Sequence, residues 1–147
     1  MWEPVESDGF KRMFKWFSKK RRRELLAMLD NLDTYLQTLR AGVKPLQVKH
    51  GFMHDEPLGV VAIDQKGGGK GLAESRLYVF PDADRQHLHL ITIGLKSDQK
   101  ADIDFCRQYV LDLREKRNAS RAEANPNDAN RETDGQDDEP GPEESPR

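Results

Sequence analysis

The sequence predicts an α+β fold, in which helices precede and follow a small antiparallel sheet. Three observations support this. Leucines recur at steps of three and four over 25–39, and three segments rich in β-branched and aromatic residues follow over 59–93. An apolar stripe of helical spacing then returns after residue 97. Because helices and strands do not alternate along the chain, we expect helices packed on one face of the sheet.

A short strand and helices are predicted at the N-terminal end. Residues 2–5, WEPV, fit an edge strand, because Pro4 has no N–H to donate to a neighbouring strand. Aromatic residues at 10, 14 and 17 have helical spacing. Ser18 is a candidate N-cap for the helix that carries the leucine stripe, and the alternative is a helix continuous with the aromatic segment before it. We expect the helix with the stripe to span about 22 residues and to end before Gly42.

Three consecutive antiparallel strands are predicted at 59–63, 72–80 and 87–93, each bounded by turn residues. A closing helix follows, with Ser97 as its expected cap. The apolar face of this helix carries Cys106, which we therefore expect in the core.

The loop between the first two of these strands, DQKGGGKG at 64–71, contains three consecutive glycines between Lys66 and Lys70. A phosphate-binding P-loop needs a Ser or Thr after its lysine and a helix beyond it. Here Gly71 follows Lys70 and the next segment is a predicted strand, so nucleotide binding is rejected. The loop is interpreted as a flexible turn with two cations at its tip.

Charge divides the chain into a folded domain over 1–117 and a tail over 118–147. The tail has 3 Lys+Arg against 9 Asp+Glu, with no aromatic residue and no Leu, Ile, Val or Met. Such a segment buries too little apolar surface to fold, so we expect a disordered acidic tail. The domain is mildly basic, which is weak evidence for a nucleic-acid partner.

The expected compartment is the cytoplasm. A single cysteine excludes an internal disulfide and agrees with a reducing environment. No apolar run approaches the roughly 20 residues that span a bilayer, so no membrane association is expected. The N-terminal residues are acidic and lack the apolar segment of a signal peptide.

Two basic features are candidate anion contacts. The run KKRRR at 19–23, which includes Lys19 and Arg22, is either a solvated face or a surface that contacts RNA or a partner. Arg76 shares a strand face with two aromatic residues. It forms either a salt bridge, to Glu74 or to an acid on a neighbouring strand, or a two-pronged contact to phosphate.

His87 and His89 alternate along the third predicted strand and are expected to point the same way. Two ligands without a third give little support for a metal site. An imidazole beside bound RNA is a candidate general acid or base, and the alternative is an exposed histidine at the sheet edge.

The segment RLYVFPDADRQHLHLITIGLKSDQKADIDFCRQYV, 76–110, resembles the core of the RelE/HigB/ParE superfamily of type II toxin–antitoxin toxins. The shared pattern is an arginine that opens an apolar strand, a turn, a second apolar strand ending in Gly94, and a KSDQK segment that leads into the last helix. The segment LLAMLDNLDTYLQTLRAG also resembles the helical arm of that superfamily. The resemblance covers about residues 2–115.

The resemblance implies a metal-independent endoribonuclease that cleaves mRNA, either on the ribosome or free of it, with no cofactor. It also implies a cognate antitoxin as partner, for which a helix-turn-helix protein is one candidate. Arg76 matches the phosphate-binding arginine of the superfamily, Lys66 and Lys70 match its lysines loosely, and His89 is the acid–base candidate. Further RNA contacts are assigned to Lys96, Lys100, Lys19 and Arg22. Two alternatives stay open: a ParE-like inhibitor of DNA gyrase without enzymatic activity, and an inactive binding module.

Overall fold

A computed structural model of the protein describes residues 1–124. The α+β class predicted from the sequence is confirmed. The helices are α1 (Asp8–Lys20), α2 (Arg22–Arg40) and α3 (Gln99–Ala124). The strands are β1 (Glu3–Glu6), β2 (Met53–Asp55), β3 (Val61–Asp64), β4 (Ser75–Asp82) and β5 (His87–Leu95).

The five strands form one sheet in the order β1-β5-β4-β3-β2. Strand β1 is at an edge, as Pro4 predicts, but it pairs parallel to β5 and is the exception in an otherwise antiparallel sheet. The other edge strand, β2, was not predicted. Its three residues, MHD, include no β-branched or aromatic side chain that would indicate a strand.

The helix boundaries near the N-terminus differ from the prediction. Ser7 is the N-cap of α1: its Oγ accepts a hydrogen bond from the backbone N of Phe10 at 3.0 Å. The prediction that Ser18 caps a second helix was wrong, because its hydroxyl donates to the Phe14 carbonyl one turn back, at 2.8 Å, inside α1. The break comes at Arg21, whose φ of −143° and ψ of 54° are not helical.

Two apolar clusters lie on opposite faces of the sheet, so the expectation that all helices pack on one face was wrong. The larger cluster joins α1 and α2 to the face that carries Leu77 and Ile93, and it includes the predicted leucine stripe. The smaller cluster joins the first half of α3 to the face that carries Ala62 and Tyr78. Cys106 is buried there, 1% exposed, as predicted. We call the two faces the α1–α2 face and the α3 face.

The last helix begins and ends later than expected. Ser97, the predicted cap, lies in a 3₁₀ turn over Lys96–Asp98, and α3 starts at Gln99. The helix continues to Ala124, past the predicted start of the tail at residue 118. The rest of the predicted tail lies outside the described residues. Residues 1–110 form one compact unit, and a second unit begins at Leu111.

Candidate active site

Four polar side chains meet where β2, β3 and β4 run side by side on the α3 face. Asp64 and Arg76 are directly opposite each other in the β3–β4 pair, so their side chains project from the same face. Two residues next to them, His54 in β2 and Glu56 just after it, complete the group. We call these four residues the acid–base cluster.

His54 is oriented by Asp64. Its Nε2 lies 2.8 Å from the Asp64 Oδ2, and the two side chains are 36% and 18% exposed. A carboxylate accepts hydrogen bonds, so Nε2 donates and Nδ1 is the nitrogen that can exchange a proton with a ligand. The arrangement fixes both the tautomer and the direction of the imidazole ring.

Arg76 forms a salt bridge, but its partner is Glu56, which lies just after β2 and is neither of the predicted partners, Glu74 or an acid on a strand next to β4. The Arg76 Nη1 donates to the Glu56 Oε2 at 3.5 Å, the outer limit of a hydrogen bond. The side chains are 24% and 11% exposed, so the guanidinium lies neither in the hydrophobic interior nor free in solvent. Glu56 therefore gives the guanidinium one long contact and leaves part of it exposed.

Glu56 has a perturbed acidity. Burial raises the pKa of its carboxyl, while the charges of Arg76 and His54 act against that rise and Asp55 adds to it. Glu56 leads into the 3₁₀ turn over Pro57–Gly59, and its backbone N donates to the Val60 carbonyl at 2.8 Å. The carboxyl is therefore held on a closed turn, with its pKa moved toward neutrality.

A buried polar group lies deeper on the same face. The Asp102 Oδ2 in α3 is buried without a hydrogen-bond partner and packs against Gly94, where a Cβ would overlap the carboxylate. Burial, with a contribution from Asp98, raises the pKa of Asp102 to about 6. Burial and the charges of Asp102 and Glu56 raise the pKa of Cys106 to about 12, so this thiol is a poor nucleophile.

The glycine loop is not a free turn, because it is bonded to α2. Arg23 Nη2 donates to the Lys70 carbonyl at 2.9 Å. The Ala73 backbone N donates to the Glu24 Oε2 at 2.8 Å, and Asn31 Nδ2 donates to the Lys66 carbonyl at 3.0 Å.

The glycines have two separate roles in this docking. A Cβ at Gly68 would overlap the Cβ of Ala27 in α2, so the loop approaches the helix too closely for any side chain. Gly67, Gly69 and Gly71 have φ values of +88°, +108° and +76°, in the left-handed region that glycine tolerates. The run of glycines is thus explained by the turn and its contact with α2.

The two loop lysines are placed differently with respect to the cluster. The Lys66 backbone N donates to the Asp64 Oδ1 at 2.7 Å, which ties Lys66 directly to the carboxylate that orients His54. Lys70 is anchored through its carbonyl to Arg23, on the side of α2, which packs on the opposite face of the sheet. The structure therefore links Lys66 to the acid–base cluster and shows no contact between Lys70 and it.

His89 lies apart from the cluster. It is paired with Phe80, four residues along β4 from Arg76, or roughly 13 Å at the usual rise of a strand. The side chain is buried, 5% exposed, and its Nδ1 lies 2.9 Å from the Tyr109 Oη. His87 is half-buried, with its ring 6.0 Å from that of His89. A buried imidazole in contact with Tyr109 is poorly placed to exchange protons with RNA, and His54 fits that role better.

The remaining predicted RNA contacts are exposed cations. Lys96 pairs with Glu74 at 3.0 Å, and Lys100 pairs with Asp104 at 3.9 Å. The basic run is divided between two helices: Lys19 lies in the last turn of α1, where a cation suits the helix dipole, and Arg22 begins α2. Arg23, within this run, donates to the Lys70 carbonyl of the docked glycine loop. The run and Lys70 therefore lie close together and form one basic surface.

The acid–base cluster has the groups that phosphodiester cleavage needs. It offers an imidazole, a carboxyl of raised pKa and a guanidinium within one partly exposed area. Sequence reasoning identified Arg76 but not His54, Glu56 or Asp64. The one signal for them was that residues 54 and 56 are two apart, so their side chains point to the same side of an extended segment. Nothing in the sequence shows that this segment lies near Arg76.

Among residues 1–124, no group of three or more His, Cys, Asp or Glu is arranged to hold a metal ion. None of the helices in this part of the chain combines the length and apolar character needed to cross a bilayer. Comparisons with protein-family models, with characterised proteins and with solved structures gave no match.

Proposed function

We propose that the protein is an endoribonuclease of the RelE/HigB type, with the acid–base cluster as its active site. Glu56 removes the proton from a ribose 2′-hydroxyl, whose oxygen then attacks the adjacent phosphorus. His54 gives a proton from Nδ1 to the departing 5′-oxygen. The products are a 2′,3′-cyclic phosphate and a 5′-hydroxyl. Arg76 binds the non-bridging oxygens and offsets the charge that builds on phosphorus.

One observation carries this proposal: the contacts Asp64–His54 and Glu56–Arg76 lie side by side on one partly exposed sheet face. The environments of the two proton-transfer groups differ. Burial raises the pKa of Glu56, and a carboxylate orients His54. Two titratable groups in unlike environments are what separate acid and base roles require. His54, Asp64 and Arg76 are mounted on paired strands, which hold side chains more accurately than loops do.

Cations outside the cluster supply contacts to the RNA backbone in this proposal. The Lys66 backbone N donates to the Asp64 Oδ1, so Lys66 is anchored to the cluster through its main chain. Lys19, Arg22 and Lys70 lie on the side of α1 and α2, across the sheet from the cluster, so in this proposal they contact RNA away from the cleaved phosphodiester. Such contacts bind any sequence and weaken with salt. We propose mRNA, on or off the ribosome, as substrate and a cognate antitoxin protein as the regulating partner.

The proposal is tested with an RNA oligonucleotide and its all-DNA counterpart, both labelled at the 5′ end and incubated with the purified protein in EDTA. A parallel reaction contains ribosomes programmed with the same RNA. We expect cleavage of RNA in one or both reactions, with 2′,3′-cyclic phosphate ends, and intact DNA. Intact RNA in both reactions contradicts the proposal. Inhibition of gyrase supercoiling by the same sample would then favour the topoisomerase inhibitor, and its absence the inactive binding module.

A further inference from the structure

A cavity lies at the end of the sheet remote from the glycine loop. No residue of the acid–base cluster lines it. Its volume is about 690 Å³, within the range of small-molecule sites. It lies between the C-terminal end of α2, the segment that follows it and the end of β4. The walls are largely apolar, and the main contributors are Trp2, Leu39, Val43, Leu46, Phe80 and Pro81.

The charge on the cavity wall has one sign. Arg40 and Lys44 are its charged side chains, and no Asp or Glu lines it among residues 1–124. Arg40 is fixed there, because its Nε donates to the Trp2 carbonyl at 3.0 Å. Lys44 is exposed, so its ammonium group can move to meet a ligand. An apolar cavity with cations alone along its wall is complementary to a molecule that has an apolar body and one negative group.

Exposed apolar surface at the rim also indicates a ligand. Leu46 is 89% exposed, while Trp2 at the inner wall is 5% exposed. A protein partner would need roughly 800 Å² on each side, whereas the volume of this cavity matches that of small-molecule sites. Apolar walls with two cations are also unlike a nucleic-acid surface, which needs a track of cations or stacked aromatic rings.

We propose that this cavity binds a small anionic amphiphile, namely a medium-chain carboxylate with its chain against Trp2 and Phe80 and its carboxylate at Lys44 and Arg40. The proposal is independent of RNA cleavage. It rests on the shape, the apolar walls and the single sign of charge.

The test is calorimetric titration of the protein with decanoate, with 1-decanol and with decyltrimethylammonium, all below their aggregation concentrations. Decanoate should bind at one site per chain and about tenfold more tightly than decanol, with the cationic amphiphile weakest. In a Trp16→Phe variant, Trp2 is the one remaining tryptophan. Decanoate should shift the fluorescence emission of Trp2 with the midpoint found by calorimetry. Equal affinities for decanoate and decanol, or an unchanged Trp2 emission, would overturn the proposal.

Lys44→Glu and Lys49→Glu form a matched pair of variants, because both lysines are exposed in one segment and Lys49 does not line the cavity. Lys44→Glu should weaken decanoate binding by about tenfold or more and leave decanol unchanged. Lys49→Glu should keep decanoate affinity within about threefold. Equal losses in the two variants would show attraction to the general charge of the protein, and the assigned site would be rejected.

Discussion

Asp64 and Arg76 are directly opposite each other in the β3–β4 pair, and each holds a second side chain beside it. Asp64 accepts a hydrogen bond from His54, and Arg76 donates one to Glu56. The β2–β3 and β3–β4 registers together therefore assemble an imidazole, two carboxyls and a guanidinium from segments up to 22 residues apart in sequence. The proposed chemistry depends on both registers.

Replacement of His54 by alanine should lower the rate of RNA cleavage by about 10²–10⁴-fold, because the leaving oxygen loses its proton donor. The fold should persist, since His54 is 36% exposed. His87→Ala is the matched control: it removes a half-buried imidazole at the far end of the sheet and should leave the rate within about twofold. Equal rates for His54→Ala and the wild type would remove His54 from the mechanism.

Asp64→Asn should reduce cleavage less than His54→Ala does. The amide keeps the size of the side chain but loses the charge that orients the imidazole, so a loss of about tenfold is expected. In the double variant with His54→Ala, the second substitution should add almost nothing, since Asp64 acts through His54. Additive losses, measured as initial rates on one oligonucleotide, would assign Asp64 a role of its own.

The pH dependence of cleavage should reflect the raised pKa of Glu56. Glu56 must be ionised to accept a proton, so activity should rise with pH through a midpoint above the ordinary glutamate value of about 4.3. Because the charge of Arg76 lowers the pKa of Glu56, Arg76→Gln should move that midpoint further up. Titration of the Glu56 carboxyl carbon by NMR checks this directly, and an unchanged or lower pKa in the variant would contradict it.

Docking of the glycine loop on α2 predicts that Gly68→Ala is destabilising, because the new methyl group overlaps the Cβ of Ala27 and the Leu72 side chain. We expect a loss of about 1–2 kcal/mol in the free energy of unfolding. Gly51→Ala is the control, since a Cβ there meets nothing closer than the Lys66 Nζ at 3.7 Å. Chemical denaturation of the two variants should separate them clearly. Equal midpoints would mean that the loop does not rest on α2.

Asp102→Asn should stabilise the protein, and the gain should depend on pH. The folded-state pKa of Asp102 is raised to about 6, above its ordinary 3.8, so the folded state disfavours the ionised form. The ionised Asp102 carboxylate therefore lowers the free energy of unfolding by an amount that increases as pH rises from about 4 to 6. Above pH 6 this loss has reached its full size. The variant should gain about 1 kcal/mol at pH 7.5 and almost nothing at pH 4.

The exposed Asp104 on the same helix is the control for this experiment. Asp104→Asn should change the melting temperature little at either pH, because its pairing with Lys100 is long and exposed. A gain for Asp102→Asn of the same size at both pH values would show that the buried charge is not its cause.

Much of the fold could be predicted from the sequence, because periodicity reports which faces are buried. The leucine stripe of α2 and the apolar segments of β3, β4 and β5 lie in the core as their spacing indicates. The break at Arg21 was not predictable, because helical periodicity continues on both sides of it. Strand β2 was missed because it is short, half-exposed and polar.

The site was less predictable than the fold. Arg76 stands out as a cation within an apolar strand, but its partners depend on the pairing of β2 with β3, which leaves no local signal. The sequence indicates His89 as an acid–base candidate, since it alternates with His87 in a clear strand. Only the tertiary contact with Tyr109 shows that its side chain is enclosed.

The most direct test of the proposed active site is the cleavage rate of Arg76→Ala against that of Arg85→Ala, on one RNA oligonucleotide, with folding verified by circular dichroism. Arg85 is an exposed arginine in the turn after β4, so Arg85→Ala removes the same charge as Arg76→Ala does. We predict a fall of about 10²–10³-fold for Arg76→Ala and a change of less than about threefold for Arg85→Ala. Equal rates for Arg76→Ala and the wild type would contradict a phosphate site at the acid–base cluster.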